Sequence, residues 1–111
     1  MAVFLALEYA LAGSCDGGAY VVRASTIQEV ANAIIECAGL SDGNETPPGA
    51  YPEEWCEEFR DHFRWLALAA ADCLWHNPKA ELTLDLLWRS GWVVRAWRVP
   101  AREARRWEDA A

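Results

Sequence analysis

The chain has 111 residues, a formal net charge of −7 and 53% hydrophobic residues, which suits one domain that buries its own core. An acidic balance opposes general affinity for nucleic acid, which needs a basic footprint. No run nears the roughly 18 apolar residues of a membrane-spanning helix. The charge is also uneven, with two basic and eleven acidic side chains in residues 1–61 but eight basic and six acidic in residues 62–111.

The opening "AVFLALEYALAGSC" alternates with period two. Val3, Leu5, Leu7, Tyr9 and Leu11 share one face, and Ala2, Phe4, Ala6, Glu8 and Ala10 share the other, the pattern of a half-buried strand. The rival reading is a lipoprotein signal ending at Cys15. It lacks the basic start such a signal needs, since no Lys or Arg precedes Arg23, and it would place Glu8 in the apolar stretch. A strand in a cytoplasmic protein is therefore expected. "GSCDGG" then serves as a hairpin loop leading into a second strand at "AYVVRA".

Ile27, Val30, Ala31, Ile34 and Ala38 predict a first helix over residues 26–38, with Ser25 and Gln28 as its capping box and Gly39 as its stop. Residues 40–52, rich in Pro, Gly and small polar side chains, form a connection. Pro52 opens a second helix reaching His76, with Glu53 and Glu54 at its positive end. Its expected inner stripe is Trp55, Phe59, Phe63, Leu66, Ala70 and Cys73. "LALAAADCLW" is apolar on nearly every side, so the second half is expected to be a buried central helix.

"ELTLDLLWRSGWVVRAWRV" reads as a second hairpin turning at Ser90 and Gly91. A two-residue loop pairs Leu82, Leu84, Leu86 and Trp88 with Val99, Trp97, Arg95 and Val93 on one apolar face, where Arg95 is the misfit, expected to snorkel from the sheet edge or pair with a carboxylate and otherwise a candidate for anion binding. Glu81, Thr83, Asp85, Arg89, Trp92 and Arg98 then form the wetter side. Pro100 opens a short third helix anchored by Ala101, Ala104 and Trp107. The order ββααββα predicts a single α+β domain, an antiparallel sheet of two hairpins with helices packed on one face.

The familiar catalytic and phosphate-binding signatures are absent from the sequence. Cys15, Cys37, Cys56 and Cys73 form no C-x-x-C pair, so buried free thiols are expected for three of them and an exposed one at Cys15. Asp72, Cys73 and His76 lie on adjacent helical turns and His62 falls nearly on their face, a partial metal set that lacks a fourth ligand. A small metal- or thiol-dependent enzyme using His62, Cys73 and His76 is thus an alternative, weakened by the expected burial of Cys73. No metal or cofactor is expected.

The most conspicuous charged feature is acidic: Asp42, Glu45, Glu53, Glu54, Glu57, Glu58 and Asp61. Glu57 with Arg60 and Asp61 with Arg64 are ordinary helical pairs, so a solvated face accounts for much of it. As an interface it suits a basic protein partner, including a nucleic-acid-binding one, rather than nucleic acid itself. "RSGWVVRAWRVPAREARRW" interleaves arginine and tryptophan as single-strand readers do, against the opposing net charge. The general profile, a small acidic α+β chain without catalytic signature, resembles phage-encoded inhibitors of bacterial defence such as anti-CRISPR proteins. It equally resembles immunity proteins and antitoxins that bind a basic toxin. The resemblance implies a protein-binding inhibitor and assigns no residues.

Overall fold

The computed structural model describes residues 2–11, 18–39, 53–86 and 91–109 and, within these, the side chains of all but residues 53–56, 108 and 109. The elements run β1 (Val3–Leu11), β2 (Gly18–Ala24), α1 (Ile27–Cys37), α2 (Glu53–His76), β3 (Glu81–Asp85), β4 (Trp92–Val99) and α3 (Ala101–Asp109). The expected α+β class and ββααββα order are present. Four strands form one antiparallel sheet in the order β2-β1-β4-β3, so the two hairpins join through β1 and β4.

The central strands are buried more evenly than simple alternation implies. Val3, Leu5 and Leu7 face α1 and α2, but Ala6 and Ala10 on the opposite face are buried too. Small residues there let the chain lie close to whatever covers that side. α1 contributes Val30, Ala31 and Ile34 to the main core, and α2 contributes Phe63, Ala67, Ala70, Ala71 and Leu74. α3 lies against the other face of the sheet, where Ala104 and Trp107 meet Ala6, Val99, Phe4, Val21 and Trp97. Trp107 meets Trp97 edge-on, with ring centroids 6.3 Å apart.

Two local expectations are corrected. The cap of α1 is Thr26 rather than Ser25: its hydroxyl accepts from the Glu29 N–H at 3.1 Å, and the Glu29 carboxylate accepts from the Ser25 N–H. Glu29 therefore takes the reciprocal role assigned to Gln28, whose amide donates to Asn32 Oδ1 at 2.9 Å. At the other end Gly39 adopts φ 80°, as its position after the helix suggests.

The second correction concerns the β3–β4 register. Leu82 pairs with Ala96, Thr83 with Arg95 and Leu84 with Val94, and the Leu86 N–H donates to the Trp92 carbonyl at 2.9 Å. This differs by three residues from the pairing a tight Ser90–Gly91 turn would give. An odd offset exchanges the faces of one strand. Trp92, Val94, Ala96 and Arg98 thus share the helix-covered face with Leu82 and Leu84, while Val93, Arg95, Trp97 and Val99 share the opposite one. The physical reason is that both arginines of β4 then find partners: Arg98, brought onto the helix-covered face, donates to the Trp75 carbonyl, and Arg95 leaves that face. On the outer face it reaches Glu8 Oε1 at 3.5 Å and Glu81 Oε1 at 2.5 Å, so its charge is answered instead of desolvated. Gly91 precedes β4 at φ 86°, where an added Cβ would also lie 3.3 Å from Leu11 Cδ1.

Candidate functional site

α2 is the longest element at 24 residues and carries most of the residues singled out in the sequence. Asp42 and Glu45 fall outside the described residues. Glu53 and Glu54 form its first turn, with side chains outside the described set. Glu57, Glu58 and Asp61 are exposed, and Asp61 Oδ1 receives a hydrogen bond from Arg64 Nη1 at 2.6 Å. The described part of the acidic cluster is therefore solvent-facing and held on a helix whose inner side is locked into the core.

Beyond the carboxylates the helix does not become the buried element expected from its composition. The core stripe is Phe59, Phe63, Ala67, Ala70, Ala71 and Leu74. Trp65, Leu68, Ala69, Asp72, Cys73 and His76 lie outside it and are exposed. Trp65 is 73% exposed and Leu68 38%, and they are the exposed large apolar residues that share one element among the described residues. Sequence reasoning passed over Trp65. Its spacing to Leu68, Ala69, Asp72, Cys73 and His76 is the signal that a second helical stripe exists.

His62, Cys73 and His76 do not form the site that the enzyme alternative requires. Cys73 is exposed rather than buried, so the argument from an apolar environment does not apply to it. His62 is eleven residues before Cys73, about 16 Å along the axis. Asp72 and His76 do meet, Oδ1 to Nε2 at 3.5 Å, with both side chains about two-thirds exposed. Among the described residues no group of three or more His, Cys, Asp or Glu side chains is placed to hold a metal ion. Cys37, a half-buried free thiol, hydrogen-bonds with Tyr20. Burial pushes both groups above their ordinary ionisation range.

Arg95 does not behave as an open anion site. Glu81 and Glu8 hold its guanidinium, raising its pKa chiefly through the Glu81 hydrogen bond, and its Cζ lies 5.7 Å from the Trp97 ring centroid. The tryptophan-rich hairpin is also divided between faces. Trp92 stacks on Tyr9 with centroids 4.7 Å apart, whereas Trp97 packs against α3. Arg98 donates to the Trp75 carbonyl at 3.2 Å and so anchors the C-terminal end of α2. An open groove of about 450 Å³ is lined by Pro100, Arg102, Glu103, Arg106 and Trp107. Glu103 among the arginines offsets part of their charge.

No helix among the described residues is long and apolar enough to cross a membrane. Comparison with protein-family models, with curated proteins and with solved structures found no match. Fold and site together define an α+β protein whose most distinctive surface is a helix face that passes from acidic to apolar along its length.

Proposed function

We propose that this is a non-catalytic protein-binding inhibitor, acting in the cytoplasm by stoichiometric contact with a basic protein, of the kind that handles nucleic acid. The observation that supports it most is the juxtaposition on α2 of exposed Glu57, Glu58 and Asp61 with an exposed Trp65. Carboxylates steer a basic partner, and a tryptophan at the edge of such a patch supplies the apolar anchor common at binding hot spots. The inner stripe fixes this surface, so little entropy is lost on docking. The same reading covers an antitoxin or immunity protein facing a basic toxin, which differs in the partner and not in the chemistry.

The test is the fourfold charge reversal E53K/E54K/E57K/E58K, titrated against the captured partner at two or more salt concentrations. The parent is expected to bind more weakly as salt rises, and the folded variant to lose about tenfold or more in affinity. Each helix-start carboxylate lost removes about 0.3–1 kcal/mol of dipole stabilisation, so the variant's melting curve is recorded beside its affinity. Parental affinity in the folded variant overturns the proposal.

A further inference from the structure

We infer that the groove beside α3 binds a nucleoside monophosphate, its phosphate held by Arg102 and Arg106 and its base laid on Trp107. This goes beyond the basic partner proposed above and does not depend on it, because α2 and α3 lie on opposite faces of the sheet. The groove measures about 450 Å³, within the range of small-molecule sites. Arg102 and Arg106 stand one turn apart on its wall, and both are exposed. Among the described residues no ion pair engages either of them, whereas Arg64 and Arg95 are held by carboxylates. Trp107 is half-buried, and its edge-on contact with Trp97 fixes the ring in the wall.

Each part of the wall suits a different part of the ligand. A guanidinium presents parallel N–H donors that match a phosphate, and two of them on successive turns can share one. An indole suits a flat ring, since every base has a face to stack. Arg102 and Trp107 are about 7.5 Å apart along the helix axis, the reach of a phosphate from a base across one sugar. Glu103, also on the wall, accepts from sugar hydroxyls but opposes the anion. Arg23 on β2 shares this face of the sheet with Val21, which packs in the α3 cluster, so its charge adds to the local positive field. A bare anion leaves the indole unused, and a neutral nucleoside leaves the two guanidinium groups unmatched. A longer strand adds phosphates beyond the groove, where the net charge of −7 repels them.

The test titrates adenosine monophosphate into the isotope-labelled full chain, to about 10 mM, and follows the indole N–H signals by nuclear magnetic resonance. The Trp107 signal is identified from Trp107→Phe. It is expected to move to saturation with a dissociation constant of about 0.1–1 mM, since the groove is open and buries only part of its ligand. Adenosine and inorganic phosphate are each expected to bind about tenfold or more weakly, and a decameric oligodeoxyadenylate no more than about threefold more tightly. Arg102→Gln and Arg106→Gln each weaken binding about fivefold or more, while Glu103→Gln, which removes a like charge, strengthens it about twofold. Unchanged dispersion of the remaining indole signals confirms that the variants fold. The inference is overturned by any of four results: no saturation by the end of the titration, phosphate bound as tightly as the monophosphate, an oligonucleotide bound far more tightly, or indifference to both arginine substitutions.

Discussion

Phe63 and Trp65 stand two residues apart on α2, and their surroundings are opposite. Phe63 is fully buried against the sheet and α1, while Trp65 is 73% exposed. The same division continues along the helix, with Ala67, Ala70, Ala71 and Leu74 inside and Leu68, Ala69, Asp72 and Cys73 outside. Apolar content is thus similar on the two faces of the C-terminal half. Among the described residues only the inner face finds a partner within the chain. Hydrophobicity states that a residue gains by leaving water, not which molecule it leaves water for.

The comparison breaks if the inner face proves dispensable. Phe63→Ala removes a fully buried ring and leaves a cavity between α2 and the sheet, which is expected to cost about 3–5 kcal/mol in chemical denaturation. Against a total stability of about 5–15 kcal/mol for a domain, that loss leaves a marginal fold. Next in size is the cap that fixes where α1 starts. Thr26→Ala removes the acceptor for the Glu29 N–H and is expected to cost about 0.5–2 kcal/mol by the same assay. Gln28→Ala, which leaves the cap intact, is expected to cost less.

Much of this architecture is legible in the sequence because the deciding interactions are local. Period-two alternation marks β1, Gly39 stops α1 at its observed end, and Pro52 with His76 brackets α2. The β3–β4 register is different. Ser90 and Gly91 suggest a tight turn, and both registers bury Leu82 and Leu84. The observed register sets Arg95 on the face of Glu8, which lies 87 residues away and meets it only once β1 has paired with β4, so the partner is not visible locally. The outer face of α2 fails to show itself for a related reason. "LALAAADCLW" has apolar residues in nearly every direction, so periodicity does not reveal which side the sheet will cover. The acidic cluster is legible as composition. Trp65 becomes distinctive only when its exposure is known.

A smaller effect sharpens the contrast between local and long-range terms. Glu8→Gln removes one of the two carboxylates on Arg95, in a pair that is partly open to solvent. The expected loss is below about 1 kcal/mol, falling further at high salt in thermal denaturation. Cys37 and Tyr20 give a pH dependence without a carboxylate. Burial favours their neutral forms in the folded chain, so the unfolded chain ionises first as pH rises past the ordinary thiol value near 9. Their stabilisation is complete below that value and is lost as pH rises toward the raised values of the folded chain, Cys37 contributing from about pH 9 and Tyr20 only from about pH 10. The melting temperature is expected to hold below about pH 9 and to fall progressively above it, less steeply in Cys37→Ala.

The smallest expected effect on folding belongs to the residue proposed as the apolar anchor of binding. Trp65→Ala is expected to lie within about 0.5 kcal/mol of the parent in melting experiments on the chain alone, as exposed surface substitutions do. A loss of about 3 kcal/mol or more, comparable to that of Phe63→Ala, would place Trp65 in the core of the single chain and contradict the division of α2 into a folding face and a binding face.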